Sequence, residues 1–341
     1  MNYPFVSIIM PIRNEKNFIE KSLTAVLNQD YPIDKMEIIV VDGCSCDGTK
    51  EIATKCMAKN PKFKIFLLDN HSKIVPTALN IGLRQAKGDV IIRVDGHCEI
   101  AKDYVRRCIE VLQETGADCV GGLQRAVGHR WMGRVIALAT SSPFGVGNAR
   151  FHYDERPGWV DTVYLGAYRR EVFDRIGGFD EELVRNQDDE FNFRLTQAGG
   201  KIWLDPSILS IYYSRSNLKD LWKQYFQYGY WKVRVFQKRG AIASLRQIIP
   251  AIFVLALLGS LILSLITHNI FYFLTIFAPY IILNLLFTLW IARKEPFTLF
   301  LLPLCFLTLH LSYGLGFLFG LFVWRRYGFR FLVIKNLKRS G

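Results

Sequence analysis

Short apolar, β-branched runs alternate with helical stretches in the first third of the chain. The runs that we assign to strands lie at 5–11, 36–42, 63–69, 89–95 and 117–122, and the helical stretches lie near 15–28, 48–59, 73–86 and 101–115. Strands that are apolar on both faces are typical of a parallel sheet covered by helices. The alternation therefore predicts an α/β fold with a mostly parallel sheet.

Polar residues stand at the carboxyl ends of three of these predicted strands. They are Pro11, Arg13 and Glu15 at the first, Asp42 at the second, and Asp95 with His97 at the fourth. In open α/β sheets, ligands bind beyond the carboxyl ends of the strands. We therefore expect these clusters to line one crevice.

The pair Asp95-x-His97 has two interpretations. A carboxylate and an imidazole facing one crevice can hold a divalent cation, and an imidazole suits Mn²⁺ better than Mg²⁺. Asp95 and Gly96 can equally form a turn that only ends the strand. The pair alone does not distinguish a metal site from a turn.

An acidic cluster, Asp188, Asp189 and Glu190, stands at a predicted helix start. Such acids can simply complement the helix dipole, at about 0.3–1 kcal/mol each. One of them could instead be a general base, if it reached an acceptor hydroxyl in the crevice. The role of Asp42 also has two interpretations, because its carboxylate can bind a nucleoside or close a turn.

The charge of the chain indicates which classes of partner it can bind, and its cysteine content indicates the redox state of its cellular compartment. The net charge is +13, and the basic residues of the last third stand next to apolar runs, which suits nucleotide phosphate or anionic lipid and argues against nucleic acid. Seven cysteines without C-x-x-C spacing indicate a reducing compartment. The amino terminus lacks a signal-peptide pattern, so we expect the first two thirds of the chain to stay in the cytoplasm.

Three apolar runs, 248–267, 270–292 and 297–324, fill most of the carboxyl-terminal part. About 20 helical residues cross the roughly 30 Å hydrocarbon core, so the first two runs predict transmembrane helices. The third is interrupted by Pro303 and by glycines, and three crossings would place a basic tail, 325–341, opposite the cytoplasm. A re-entrant or strongly tilted third segment would avoid this, so two or three membrane segments are expected. The aromatic and basic helix predicted at 217–240 is typical of a membrane interface.

Five segments, in this order and spacing, resemble the family-2 inverting glycosyltransferases of GT-A fold, and among them the membrane-anchored succinoglycan-type glucosyltransferases. The segments are VSIIMPIRNE (6–15), IIVVDGCSCDGT (38–49), IIRVDGH (91–97), RREVFDRIGGFDEEL (169–183) and QDDEFNFRL (187–195). Each is weak alone, and the ordered set is specific. The resemblance implies a nucleotide-sugar donor, with a UDP-hexose expected, a divalent cation, and one displacement at the anomeric carbon.

Carried over onto this sequence, the resemblance implies nucleotide contacts by Pro11, Arg13, Glu15, Asp42 and Asp95. Asp95 and His97 match the metal-binding Asp-x-Asp, and the imidazole predicts a preference for Mn²⁺ over Mg²⁺. Asp188 matches the Asp of the family's Glu-Asp pair and is the expected catalytic base, with Gln187 in place of the Glu.

The stretch from Gln227 to Trp231 resembles the Gln-x-x-Arg-Trp element of processive synthases, but Tyr230 replaces the Arg. Gln227 and Trp231 can contact the acceptor or the diphosphate, or belong to an interfacial aromatic belt. Two or three membrane segments make a poor conduit for a polymer, so we predict the addition of a single sugar to a lipid-linked acceptor. A processive synthase and an inactive membrane scaffold of the same fold are the alternatives. Gly316-x-x-x-Gly320 is either a helix-packing motif or a coincidence.

Together these features predict a cytoplasmic GT-A domain at 1–235, followed by a membrane region at 248–324 and a basic tail at 325–341. The domain comprises a nucleotide-binding half (1–122), an acceptor half (123–216) and an interfacial helix (217–240). We expect a multi-pass protein of the cytoplasmic membrane with a role in cell-surface polysaccharide biosynthesis. A nucleotidyltransferase is disfavoured, because residues 10–18 lack a glycine-rich phosphate loop.

Overall fold

The computed structural model describes residues 3–240 and 244–327, and these contain a nine-stranded sheet and twelve α-helices. The strands are β1 (Val6–Ile12), β2 (Met36–Asp42), β3 (Lys64–Asp69), β4 (Val90–Arg93), β5 (Cys98–Ile100), β6 (Cys119–Val127), β7 (Gly158–Val160), β8 (Tyr164–Arg169) and β9 (Ile202–Tyr213). The helices are α1 (Ile19–Leu27), α2 (Thr49–Ala58), α3 (Val75–Gln85), α4 (Tyr104–Thr115), α5 (Trp131–Thr140), α6 (Pro143–Val146), α7 (Arg170–Ile176), α8 (Gln187–Gln197), α9 (Leu218–Arg239), α10 (Ile249–Thr267), α11 (Phe271–Ala292) and α12 (Leu302–Trp324).

The first four strands form a parallel sheet in the order β3-β2-β1-β4. All seven residues of β1 are buried. Ile8 and Met10 belong to the apolar cluster on one face of the sheet, and Ile9 belongs to the cluster on the other. Because side chains alternate along a strand, a run that is apolar on both faces requires helices on both sides. The α/β fold class predicted from the sequence is confirmed.

The sheet continues through antiparallel pairs. β8 lies between β4 and β6 and pairs antiparallel with both. β6 therefore points in the same direction as the parallel strands, but it is separated from them by a strand that comes later in the chain. The apolar pattern at 117–122 indicates a strand without indicating its neighbours, which is why the sequence does not reveal this insertion.

The described residues divide into two compact units. One consists of residues 3–126 and 149–213, and the other of residues 127–148, 214–240 and 244–327. The second unit therefore takes in a segment, 127–148, that the sequence groups with residues 123–216. Most of the expected basic tail, residues 328–341, lies outside the described residues.

Three helices of the second unit, α10, α11 and α12, are long and apolar enough to cross a bilayer, judged by length and composition. The third begins at Leu302 rather than at 297, and Pro303 lies in its first turn, where a missing N–H costs nothing. Gly316 and Gly320 lie against α9. A Cβ built on Gly316 would lie 2.1 Å from the carbonyl oxygen of Phe226. Of the two interpretations of this glycine pair, the structure supports helix packing.

Candidate active site

The loops that follow β1 and β2 meet at the carboxyl edge of the sheet. Asp42 ends β2 beside Ile12 of β1, and it is 1% exposed. Its carboxylate accepts hydrogen bonds from the backbone N–H (3.1 Å) and the hydroxyl (2.6 Å) of Ser45. Asp42 thus closes a turn, and its two oxygens keep further acceptor capacity.

The residues at the end of β1 lie next to the loop that follows β2. Pro11 is buried within the strand, and Arg13 is exposed. Arg13 donates from Nη1 to the carbonyl oxygen of Lys73 at 3.0 Å. Its aliphatic stem lies next to Gly43, where an added Cβ would come within 3.1 Å of it. A guanidinium of an exposed residue is therefore held at this edge.

A buried ion pair lies at the end of β4. Arg93 donates from Nε and Nη2 to the two carboxylate oxygens of Asp95, at 2.7 and 3.1 Å. The side chains are 13% and 11% exposed. Burial opposes ionisation of Asp95, but the nearby positive groups, with the guanidinium of Arg93 first among them, together lower the pKa of the carboxyl. Asp95 is therefore ionised, and its oxygens can each accept another ligand.

Glu15 orients the imidazole of His97. The Nδ1 atom of His97 lies 2.9 Å from Oε1 of Glu15, so a proton must lie between them. In the neutral ring Nδ1–H is then the donor and Nε2 carries the lone pair. The intervening Gly96 has little room, because a Cβ there would lie 2.9 Å from Cγ2 of Ile12 and 3.2 Å from Cγ of Glu15. This close approach of the backbone brings His97 to Glu15.

Helix α8 presents the acidic cluster to the same edge. Phe191 and Leu195 are buried in the core, and the hydroxyl of Tyr168 donates to Oδ1 of Asn192 at 2.9 Å. These contacts hold the helix against β8 and place its first turn, with Asp188, near the end of β4.

The third acid of the cluster has a structural role. Glu190 is fully buried, and its carboxylate pairs with Nε and Nη2 of Arg194 at 2.6 and 3.1 Å. Nη2 of Arg194 also donates to the carbonyl oxygen of Gly178 at 2.7 Å. Glu190 therefore fixes the chain that precedes α8.

Arg93 also reaches the first turn of α8. Its Nη1 lies 3.9 Å from Oδ2 of Asp188, whose side chain is 41% exposed. Oδ1 of Asp188 accepts the backbone N–H of Asp189 at 2.9 Å. Burial raises the pKa of Asp188, Arg93 opposes this rise, and the negative charge of Asp189 adds to it. The result is a carboxylate of raised basicity that a solvent-borne group can still reach.

The similarity of this chain to known proteins identifies its family. The model of one protein family, glycosyl transferase family 2, matches residues 7–177. The succinoglycan biosynthesis protein ExoA of Rhizobium meliloti is 32% identical over 71% of this chain and 73% of its own length. The chain belongs to glycosyltransferase family 2.

A second relative of this family-2 glycosyltransferase is matched over nearly the whole chain. It is the dolichyl N-acetyl-alpha-D-glucosaminyl phosphate 3-beta-D-2,3-diacetamido-2,3-dideoxy-beta-D-glucuronosyltransferase of Methanococcus voltae, 30% identical over 93% of this chain and 97% of its own. Among solved structures, mannosyltransferase PcManGT from Pyrobaculum calidifontis, in complex with GDP-Man and Mn²⁺, matches with a TM-score of 0.62 and 20% identity. That match covers 95% of this chain and 88% of the other. It confirms the GT-A type of fold expected for a family-2 glycosyltransferase.

The structure adds Arg93 to the residues expected in this glycosyltransferase. The sequence contained a signal for it, because a charged residue stands in the apolar run at 89–95, two positions before Asp95. Residues two apart on a strand face the same side, so Arg93 and Asp95 could have been placed together. Its reach to Asp188 depends on how α8 packs, which the sequence does not show.

Two other expected residues lie in the second unit. Gln227 and Trp231 are on α9, and the ring of Trp231 packs against Tyr230 and Trp324, with centroids 5.5 and 5.6 Å away. These aromatic contacts agree with an interfacial belt. A role in binding the acceptor or the diphosphate stays a prediction.

The side chains around His97 fit a divalent cation only as a two-residue site. Within residues 3–240 and 244–327, no group of three His, Cys, Asp or Glu side chains is arranged to hold a metal ion. Asp95 offers an ionised carboxylate, and His97 offers an imidazole whose tautomer Glu15 sets. Diphosphate oxygens would have to complete the ligand shell.

Proposed function

We propose that the chain is an inverting glycosyltransferase that moves one sugar from a nucleotide-sugar donor, a UDP-hexose first among the candidates, to a hydroxyl of a lipid-linked glycan. The proposed process is cell-surface polysaccharide biosynthesis, at the cytoplasmic membrane, with the catalytic domain in the cytoplasm. The names of the succinoglycan and dolichyl relatives support the assignment to polysaccharide biosynthesis and a lipid-linked acceptor. The observation that carries the proposal is the guanidinium of Arg93, which lies between ionised Asp95 and half-exposed Asp188.

Asp188 is the proposed catalytic base. The acceptor oxygen forms a bond to the anomeric carbon, its proton passes to the Asp188 carboxylate, and the bond from that carbon to the donor phosphate oxygen breaks on the opposite face. Attack opposite the leaving group inverts the anomeric centre. A raised pKa makes the Asp188 carboxylate a stronger base, and a positioned base contributes about 10²–10⁴ in rate.

The nucleotide is proposed to bind along the loops after β1 and β2. Exposed Arg13 is a cation suited to phosphate, and Asp42 is an acceptor for nucleoside hydroxyl or N–H groups that Ser45 holds in one orientation. Pro11 and Glu15 are proposed to contact the nucleotide as well. Asp95, at the end of β4, would accept from the ribose.

Asp95 and His97 are proposed to hold a divalent cation, with Mn²⁺ preferred over Mg²⁺ because of the imidazole. When bound, the ion would neutralise the charge that develops on the departing diphosphate. The Mn²⁺ present in the PcManGT complex supports a cation in this family, although that chain is only 20% identical.

The acceptor is proposed to be lipid-linked, with Gln227 and Trp231 on α9 as predicted contacts of the acceptor or the diphosphate. Two or three membrane-crossing helices are too few to enclose a channel for a growing polymer, which supports the addition of a single sugar.

Purified protein would be incubated with a panel of radiolabelled nucleotide sugars and a lipid extract of the source cells, with and without Mn²⁺. We expect one inverted sugar per acceptor in the lipid fraction, dependent on the cation. No transfer from any donor would refute the function, and products longer by several sugars would refute single addition.

A further inference from the structure

Helix α12 contacts the second half of α11 and the start of α10, and the stacking of Phe253 on Tyr280 places these two regions at one level. Near its start, the carbonyl oxygen of Pro303 accepts a hydrogen bond from Nδ2 of Asn284 (3.1 Å), just past the middle of α11. Ten residues later, the hydroxyl of Tyr313 donates to the carbonyl oxygen of Gln247 (3.1 Å), just before α10. A Cβ built on Gly314 would lie 2.4 Å from the carbonyl oxygen of Pro250, in the first turn of α10.

These two regions of α10 and α11 lie on the same side of a bilayer. Only residues 268–270 separate α10 from α11, and the rings of Phe253 and Tyr280 stack with centroids 4.4 Å apart. The helices therefore form an antiparallel hairpin. The start of α10 and the end of α11 are at the same face, and the turn at 268–270 is at the other.

A crossing α12 would make different contacts. Ten residues of helix advance about 15 Å, so a third crossing helix that lies beside Asn284 at Pro303 would reach the far half of α10 by Tyr313. That half is open: a Cβ built on Gly259 meets nothing within 4 Å, and the consecutive Leu261, Ile262 and Leu263 are all exposed. α12 therefore stays at nearly one depth while it passes from α11 to α10.

The neighbouring helix α9 gives an independent measure of this depth. Gly316 lies against the backbone of Phe226, and Nε2 of Gln237 donates to the carbonyl oxygen of Trp324 at 2.8 Å, so the two helices run side by side to the end of α12. The charged residues of α9 are Lys219, Asp220, Lys223, Lys232, Arg234, Lys238 and Arg239. A helix with this charge content cannot lie within hydrocarbon, so the second half of α12 lies at the interface as well.

The exposed surface of α12 has the form of a single strip. Leu304, Phe319 and Phe322 are its exposed large side chains, and Leu304 and Phe322 are 18 residues apart, which is about five helical turns. Leu304 and Phe322 therefore lie on one line along the helix, and Phe319 lies beside this line, three residues before Phe322. The opposite faces are buried against α5, α9, α10 and α11, whereas most side chains in the far half of α10 are exposed. One apolar strip is what a helix at the surface of a bilayer presents to lipid.

We infer that α12 lies in the plane of the membrane, with this strip toward the acyl chains, and that the chain crosses the bilayer twice, through α10 and α11 only. The chain then leaves α12 at Trp324 on the same face where it enters α10. This removes the conflict between a third crossing and the basic residues that follow in the sequence. The inference concerns membrane placement and does not depend on the proposed reaction.

The test measures depth at two positions of α12 in the full-length chain in lipid vesicles. Spin labels would be attached to Leu304→Cys and Phe322→Cys, in a background where the cysteines that are not buried, Cys44, Cys46 and Cys56, are serine. Labels in an in-plane helix report depths within a few Å of each other, and labels in a crossing helix differ by about 27 Å. Unequal depths of that size would overturn the inference.

A second measurement, of cysteine accessibility, places no label on the exposed strip of α12. Leu245→Cys, Asn269→Cys, Lys294→Cys and Arg325→Cys are exposed positions before, within and after the hairpin. A membrane-impermeant maleimide should label Asn269→Cys from one side and the other three from the opposite side. Labelling of Arg325→Cys together with Asn269→Cys, or of all four from one side, would contradict two crossings.

Discussion

The Nη1 atom of Arg93 lies 3.9 Å from Oδ2 of Asp188, while Nε of the same guanidinium lies 2.7 Å from Asp95. One side chain thus connects the end of β4 with the first turn of α8. The proposed base and the proposed donor-binding carboxylate share a single cation, so a change at Arg93 should affect both.

Replacing Arg93 by Lys should lower kcat by roughly 10²-fold. Lysine keeps the charge but cannot bind both oxygens of Asp95 and still reach Asp188, and a misplacement of about 1 Å can cost this much. Steady-state transfer rates would be compared with those of Arg106→Lys, which changes a guanidinium paired with Asp30 and Glu110 on the surface. An Arg93→Lys enzyme as fast as the Arg106→Lys control would remove the positioning role.

The pH profile should reflect the raised pKa of Asp188. A base acts only when ionised, so kcat/KM should fall as the pH drops through the pKa of Asp188, which lies above the ordinary 3.8. Asp189→Asn removes a negative charge that contributes to the rise, and it should move this acid limb to lower pH. Profiles of the two proteins that superimpose would show that Asp189 does not act on the titrating group.

Glu15 should affect cation binding through His97. Substitution of an outer-shell carboxylate partner typically costs 10–100-fold in metal affinity, and we expect a loss of about this size for Glu15→Gln. Mn²⁺ binding in the presence of a nucleoside diphosphate, followed by the spin resonance of free Mn²⁺, measures it, with His97→Ala as the reference for loss of a ligand. Unchanged affinity in Glu15→Gln, or equal transfer activity with Mn²⁺ and Mg²⁺, would contradict the proposed role of the imidazole.

The contact between α9 and α12 should be sensitive to a single methyl group. Gly316→Ala would place a Cβ 2.1 Å from a backbone oxygen of Phe226, so the helices must separate, at a cost of about 1–3 kcal/mol. Gly259→Ala is the matched control, because a Cβ there meets nothing within 4 Å. Thermal unfolding in detergent should show a lower midpoint for Gly316→Ala only.

Local patterns predicted the elements well. The run at 36–42 has the same bounds as β2, because burial on both faces of a strand leaves a continuous apolar stretch. The apolar run at 270–292 differs from α11 by one residue, because a helix that is long enough to cross a bilayer needs apolar side chains on all sides. Pairing was harder to predict. β8 lies between β4 and β6 although it follows both in sequence, and α5 joins the second unit although it follows β6 directly.

Side-chain roles in the site depended on which partner each group found. Asp188 and Glu190 are two residues apart in one acidic run, yet Glu190 is fully buried on Arg194 and Asp188 is 41% exposed beside Arg93. Helical geometry alone directs them to different sides of α8, but only the packing of the helix shows which side faces the crevice. The spacing of Arg93 and Asp95 indicates that they face the same side, but the contact of Arg93 with Asp188 depends on the packing of α8.

The most direct test of the proposed chemistry compares Asp188→Asn with Asp189→Asn in single-turnover transfer with saturating donor and acceptor. Both substitutions remove one carboxylate from the same turn of α8 and keep its size, so only the removal of the base should slow the reaction. We expect Asp188→Asn to lose roughly 10²–10⁴ in rate, and Asp189→Asn to stay within a few-fold of the parent. An Asp188→Asn protein that transfers sugar as fast as the parent would contradict the assignment of the base.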